Sequence, residues 1–341
     1  MHRIAIVGIG YWGPNIARSM AATQRAELAW LCDLDPDILQ ALGARYPQAR
    51  RTTRYEEILE DASVRGMVLS TPTAAHFPLA VRAMEAGKDC LVEKPLTARS
   101  DQARHLVEVA QKTRCILMVG HVFEYNASIR LLKEIVDSGE VGEIQFLHMT
   151  RTNLGPVRTD VNALWDLASH DVAIANYLLG REPDTVSARG QSFLNPGIED
   201  VTFANFSYPG EVMVHIYSSW LNPRKVRQIT VVGSRKMVLW DDLDLQSPLR
   251  IFDKRVAFKH PKELEGTFLE HKTMVVDGGM TIPTVAGNQP LLAECHHFLD
   301  CLDHAAVPQS DGVSGLRVVL ALEAAMASLA SDSRICAVPR P

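Results

Sequence analysis

Apolar residues in the first 120 positions fall in short, nearly unbroken blocks at 4–7, 28–32, 67–70, 89–92 and 115–119. Blocks of this length are too short for globular helices. They are also too continuously apolar for strands with one wet face, so they predict strands buried on both sides of a parallel sheet. Helical patterns at 14–22, 36–44, 77–86 and 101–112 fill the intervals, and Gly87 reads as a helix C-terminal stop. Beyond Gly120 the pattern changes. Residues 126–137 predict a helix with Leu131, Leu132 and Ile135 inward, ended by Gly139 and Gly142; 143–151 read as extended, 153–162 as a polar loop, and 165–179 as a helix stopped by Gly180. From 186 to 240 the period is two. Thr202, Ala204, Phe206 and Tyr208 share one side, Val201, Phe203, Asn205 and Ser207 the other, with turns at Pro209-Gly210 and Gly233-Ser234. Residues 241–287 are expected to hold further hairpins and a loop, and helices at 291–301 and 315–330 follow. The expectation is an α/β domain over 1–120 and an α+β domain over 121–341 with a large, mainly antiparallel open sheet.

Composition narrows the function classes. Of 341 residues, 47% are hydrophobic and 22% charged, with a net charge of -5, which suits globular domains and not a disordered chain. No dense Lys/Arg block offers a track for phosphates, so no nucleic-acid partner is expected. Cys32, Cys90 and Cys115 lie in or beside strand-like runs, as small buried hydrophobes do, and none of the six cysteines forms a CxxC pair. Met1-His2-Arg3 runs straight into a four-residue apolar block, so no secretory leader is expected, and no stretch approaches the ~20 apolar residues of a membrane span. A cytoplasmic setting is the expectation. No metal site is expected, since His296-His297 and the scattered cysteines lack zinc-ligand spacing. A G-x-S-x-G nucleophile elbow is also missing.

The chemistry begins at Gly8-Ile9-Gly10-Tyr11-Trp12-Gly13, a GxGxxG between a predicted strand and a predicted helix. Gly8 permits the tight turn, Gly10 lets backbone approach a pyrophosphate, Gly13 lets helix and strand pack closely, and the helix N-terminus offers N–H groups to phosphate. Tyr11 and Trp12 belong to this cofactor turn. Asp33 ends the next apolar run, 20 residues after Gly13. A carboxylate there accepts from both ribose hydroxyls and repels a 2′-phosphate, so a Rossmann domain binding NAD is expected in preference to NADP, although Arg45, Arg50 or Arg51 could approach the ribose. Ser70-Thr71-Pro72 close a further strand at its carboxyl end, where ligands of such sheets bind. His76 follows, either near the dinucleotide or in a solvated structural role.

Glu93-Lys94-Pro95 closes another predicted strand. An ammonium at Lys94 could polarise a substrate oxygen or exchange a proton; a solvated lysine before a helix fits the same residues. Asp166 and His170 are four apart on a predicted helix and share a face. They could work as an orienting carboxylate and a proton-exchanging imidazole, or merely decorate the helix. Arg151, Asn153, Arg158 and Asn162 lie in or beside the preceding loop and are candidates for substrate polar groups; Trp165 would form a pocket face or anchor the helix in the core.

These motifs, in this order and over essentially the whole length, resemble the glucose-fructose oxidoreductase / inositol dehydrogenase (Gfo/Idh/MocA) family. The resemblance rests on Gly8–Gly13, Glu93-Lys94-Pro95 and Asp166-Leu-Ala-Ser-His170-Asp171. It implies Lys94, Asp166 and His170 as the catalytic set, Glu93 and Lys94 beside the cofactor, and a second domain whose open sheet makes a homodimer or homotetramer. Gly120-His121-Val122-Phe123, Asn153-Leu154-Gly155 and Trp165–His170 look like a nucleotide-sugar branch, which adds His121 as a substrate-side candidate. Glu124 stands where many relatives carry a basic residue, and Leu164-Trp165 replaces the Gly-Gly common in inositol dehydrogenases. The expected function is hydride transfer between NAD and a secondary hydroxyl of a sugar, most simply C3 of a nucleotide-linked N-acetylhexosamine or uronate. A dehydrogenase of a free polyol such as inositol and a non-catalytic NAD-binding regulator are the alternatives.

Overall fold

The structure is a computed structural model in which residues 1–155, 157–159, 161–258, 273–287 and 289–341 are described. They pack as two compact units, Met1–Tyr125 with Gln289–Glu323 and Pro339–Pro341, and Asn126–Asn288 with Ala324–Val338.

In the first unit the apolar blocks become β1 (His2–Val7), β2 (Ala26–Cys32), β4 (Gly66–Leu69), β5 (Asp89–Glu93) and β6 (Leu117–Gly120). The short β3 (Arg50–Thr52), too polar to stand out in the apolar pattern, joins at the edge. All pairs are parallel, in the order β3-β2-β1-β4-β5-β6. The connecting helices are α1 (Gly13–Ala22), α2 (Pro36–Gly43), α3 (Tyr55–Glu60), α4 (Thr73–Glu85) and α5 (Ser100–Thr113). Ile4, Ile6, Leu28, Leu31 and Val68 are buried with Ile16 and Met20 of α1 in one cluster.

That cluster also takes Cys295, Phe298, Leu299 and Leu302, which sit on a helix at Pro290–His304, far beyond them along the chain. The sheet edge gains from the same region, because the Val119 N–H donates to the Ser310 carbonyl at 2.7 Å. A division at residue 120 therefore assigns 289–323 to the wrong unit. The first sheet has an apolar face that its own helices leave open, and this later helix buries it.

The second unit opens with α6 (Ala127–Asp137), capped by Asn126, whose side chain accepts from the Ser128 and Ile129 N–H groups. Then come β7 (Ile144–Leu154) and α7 (Ser169–Leu179), the latter preceded by one π-helical turn at Leu164–Ala168. The strands β8 (Thr185–Gln191), β9 (Val201–Tyr208), β10 (Val212–Ser219), β11 (Leu221–Gly233), β12 (Met237–Asp241), β13 (Leu249–Phe258) and β14 (Thr273–Thr281) follow. The helix at Pro290–His304 is α8, and α9 spans Gly312–Ala330. A two-residue β15 (Cys336–Ala337), too short to register in the sequence pattern, pairs with β8. The described residues form a nine-stranded sheet, β14-β13-β12-β11-β7-β10-β9-β8-β15. It is antiparallel except for β10 against β7. The expected hairpins after residue 241 are β12–β13 and β13–β14; 259–272 lie outside the described residues, as do Pro156 and Asp160 of the expected 153–162 loop. Helix α9 is closer to spanning length than the sequence pattern suggested, with 19 residues of mean hydropathy 1.6 over its best window. Its Leu316, Val319, Ala321, Leu322 and Ala325 are buried inside the protein, as in the core helix of a globular fold.

Candidate functional site

At the carboxyl ends of β1 and β4 the glycine turn is held by contact. Gly8 has φ +82°, and a Cβ there would stand 2.7 Å from the Thr71 nitrogen. Ser70 Oγ donates to the Gly8 carbonyl at 2.5 Å. A Cβ on Gly13 would meet the Gly8 oxygen at 2.5 Å, whereas one on Gly10 would meet nothing within 4 Å. The turn is thus closed on its protein side and open at Gly10, where a pyrophosphate needs room. Helix α1 has no side-chain cap from Trp12; Pro14 brings no N–H, and the Asn15 and Ile16 N–H groups donate to the Trp12 carbonyl at 2.9 and 3.3 Å. Asp33 Oδ2 accepts from the Ile9 N–H at 2.8 Å and Oδ1 from the Asp35 N–H at 3.1 Å, which fixes its carboxylate at the end of β2. Arg50 stacks over Trp30, 5.3 Å from the ring centroid, and the stem of Arg51 packs on Gly43. Thr71 Oγ1 is buried with no hydrogen-bond partner among the described residues. This set fits a dinucleotide. Tyr11 is exposed beside the turn, and Pro72 immediately precedes α4.

The ends of β5 and β6 lead into Lys94 and His121. Glu93 pairs in register with Gly120, so Lys94 and His121 follow side by side. A Cβ on Gly120 would lie 3.1 Å from the Glu93 carboxyl carbon, so any larger residue there would make that carboxyl give by a few tenths of an ångström. The Glu93 carboxylate accepts from the Lys94 N–H at 3.2 Å and from Trp12. Burial pushes its pKa above the ordinary value, against the pull of Lys94. Lys94 is half-buried. His121 is 2% exposed, and neither ring nitrogen has a hydrogen-bond partner among the described residues. Burial, with Lys94 nearby, pushes the imidazole down to about 3, so it is uncharged at neutral pH. His76 is also buried, not solvated, its Nε2 2.8 Å from the Thr71 carbonyl oxygen and its Nδ1 3.0 Å from that of Pro95. Glu124 does not stand open to a ligand: it is buried and accepts from Gln309 at 3.4 Å. Glu294 of α8, which the sequence pattern did not single out, is buried near Glu93 and Glu124; burial, then their repulsion, raises its pKa well above the usual carboxyl range.

In the second unit the sequence-predicted residues separate. Arg158 Nη1 donates to Asp166 Oδ1 at 3.3 Å, and Trp220 Nε1 donates to Asp166 Oδ2 at 3.2 Å. Asp166 is therefore oriented from both sides, on a π-helical turn of the kind that often marks functional sites. His170 is half-buried in the first turn of α7. Trp165 is half-buried, and its N–H is bound by Asn162 Oδ1 at 3.1 Å. Arg151 departs from expectation. It is 4% exposed and donates to both oxygens of buried Asp171, at 2.8 and 3.1 Å, which pins α7 to the sheet. Asn162 is likewise structural: buried, its amide donates to Glu199 at 2.6 Å while its oxygen holds the start of the Leu164–Ala168 turn. Asn153 is half-buried at the end of β7, with Oδ1 buried and without a partner among the described residues. Trp220, buried on the strand side, is the orienting residue that spacing could not assign, because it meets Asp166 across 54 positions.

Residues 2–121 match the oxidoreductase family with an NAD-binding Rossmann fold, and 129–239 match the GFO/IDH/MocA C-terminal domain. The chain belongs to this family. It is an NAD-dependent oxidoreductase. UDP-N-acetylglucosamine 3-dehydrogenase of Acidithiobacillus ferrooxidans is 25% identical over 335 residues, 94% of each chain. The scyllo-inositol 2-dehydrogenase (NAD+) of Bacillus subtilis is 30% identical over 209 residues, which span 58% of this chain and 59% of that relative. The crystal structure of GenD2 from gentamicin A biosynthesis in complex with NAD superposes with a TM-score of 0.82 at 25% identity, covering 99% of this chain and 96% of that one.

Proposed function

We propose that this oxidoreductase interconverts a secondary hydroxyl and a ketone on a sugar, and that the sugar is nucleotide-linked, a UDP-N-acetylhexosamine or uronate reacting at C3. The observation that carries the reading is Lys94, half-buried at the carboxyl end of β5 in the same sheet that presents the Gly8 turn and Asp33, with an uncharged imidazole beside it. A sensor of NAD has no need of an amine there; a dehydrogenase does. Bound NAD supplies the hydride acceptor. The residues of the chain manage the proton. His170 takes it from the hydroxyl as Lys94 donates a hydrogen bond to the oxygen, whose rising negative charge eases hydride departure. Lys94 and His170 could exchange these two parts, and the pH profiles of K94M and H170N separate the cases. Asp166, steadied by Trp220 and Arg158, holds the alcohol or His170. Asn153, Arg158, Trp165 and His121 stay as substrate-side candidates; Arg151 and Asn162 do not.

The similarity over 94% of both chains to a UDP-N-acetylglucosamine 3-dehydrogenase supports a nucleotide-linked substrate. The higher local identity to a scyllo-inositol dehydrogenase supports a free polyol as the second reading. Incubation with NAD and UDP-N-acetylglucosamine, its uronate, or scyllo- and myo-inositol, followed by NADH absorbance and product mass, tests both. Oxidation of inositol alone selects the polyol. NAD binding with no sugar oxidised or keto sugar reduced overturns the enzymatic scheme.

The partner is a second copy of the chain. On the outer face of the large sheet, cross-strand register aligns Phe203, Tyr217, Thr150 and Gln228 in one row. Asn205, His215, His148 and Thr230 form the next, and Ser207, Met213, Phe146 and Val232 the third. These twelve neighbouring positions hold no charged residue, and Phe146, Phe203 and Met213 are exposed. A solvated sheet face ordinarily alternates in charged side chains, so this one suits a symmetric subunit contact. All six cysteines are free thiols, which is compatible with a cytoplasmic setting.

A further inference from the structure

His76 touches two loops that the scheme above uses for different purposes. Its Nε2 faces the carbonyl of Thr71, in the loop that packs against the Gly8 turn. Its Nδ1 faces the carbonyl of Pro95, the residue after Lys94. The ring is 1% exposed, so water cannot replace either contact. A run of direct contacts therefore leads from the cofactor turn to the lysine: Ser70 Oγ to the Gly8 carbonyl at 2.5 Å, Thr71 to His76 at 2.8 Å, and His76 to Pro95 at 3.0 Å. The rigid ring sets the spacing between the two carbonyls, which a flexible side chain would not. We propose that His76 is a positioning residue that couples the cofactor loop at Thr71 to the placement of Lys94. This extends the assignment of Lys94 as a proton-handling group and rests on it. His76 itself, enclosed by backbone, contacts neither ligand.

The two ring nitrogens can be tested one at a time. In H76N the amide nitrogen stands near the position of Nδ1 and keeps a donor for Pro95; in H76Q it stands near Nε2 and keeps a donor for Thr71. Burial disfavours the charged ring, and a neutral imidazole has one N–H for the two carbonyls, so one contact is a hydrogen bond and the other is held by packing; loss of either is worth about five- to tenfold in the equilibrium it supports. For H76N we expect NAD affinity, measured by calorimetric titration, to fall about five- to tenfold, while the rate of Lys94 modification by pyridoxal phosphate, mapped by peptide mass, stays within about twofold of wild type. For H76Q the pattern reverses: NAD affinity holds within about twofold, and Lys94 labelling rises about fivefold as its loop is released. H76A moves both. A residue that only stabilised the fold would shift the two readouts together. Parallel changes in H76N and H76Q, or no change in either, overturn the proposal. Neither readout needs turnover. If K94M retains full activity, the catalytic reading of Lys94 fails, while the opposed pattern in the two histidine variants still decides whether the coupling exists.

Discussion

Replacing His121 with methionine should make the protein less sensitive to acid. In the folded chain the ring is buried beside Lys94, and its pKa falls from 6.5 to about 3. The unfolded chain, with the ring in water, titrates near 6.5. Between those values the unfolded state binds a proton that the folded state refuses. The stabilisation from this group is whole above about pH 6.5 and is lost as pH falls toward 3, at ~1.4 kcal/mol per pH unit. At about pH 4.5 the loss is ~2.7 kcal/mol, a large share of the 5–15 kcal/mol typical of a folded domain. H121M lacks this titration and also removes two ring nitrogens that have no hydrogen-bond partner among the described residues. Its neutral-pH stability should equal or exceed that of the wild type. Urea unfolding followed by tryptophan fluorescence, at several pH values from about 7.5 down to about 4.5, reads the difference directly. Carboxylates elsewhere titrate alike in both proteins and cancel. If the two stability curves stay parallel through this range, the imidazole is not excluded from protonation and the burial argument is wrong.

Four other experiments probe the remaining parts. R151M strands Asp171 as a buried, uncompensated charge and should cost about 3–5 kcal/mol in thermal or urea unfolding, part of it recovered by adding D171N. W220F removes the indole donor to Asp166; kcat should drop about tenfold with little change in the KM for NAD, and an unchanged kcat would separate Trp220 from the chemistry. D33S should weaken NAD binding about tenfold and admit NADP, measured by titration of both cofactors. The pair F203E and M213E places charge in the neutral rows of the outer sheet face and should lower the mass seen in analytical ultracentrifugation while leaving the far-UV circular dichroism intact.

Much of the first unit was legible because parallel strands buried on both faces must be nearly all apolar, and because close backbone packing admits only glycine at Gly8 and Gly13. Lys94, Asp166 and His170 were legible as residue types placed at strand ends or on one helix face. Polar residues were harder to sort. Arg151 and Asn162 carry the same groups whether they bind a ligand or brace α7. Only the presence of Asp171 and Glu199 within hydrogen-bond reach assigns them to structure. The π-helical turn under Asp166 was also invisible, since one extra residue in a turn leaves no mark in an apolar period.

Taken alone, the order of residues determined the local matters: where strands and helices form, which turns need glycine, and which family the motifs resemble. Folding decided what depends on partners far apart in the chain. It brought α8 against the first sheet, set the Trp220 indole on Asp166, and placed His76 between Thr71 and Pro95. Periodicity and propensity act over a turn or a strand, whereas burial and hydrogen bonding act between whichever groups the packed chain leaves in contact.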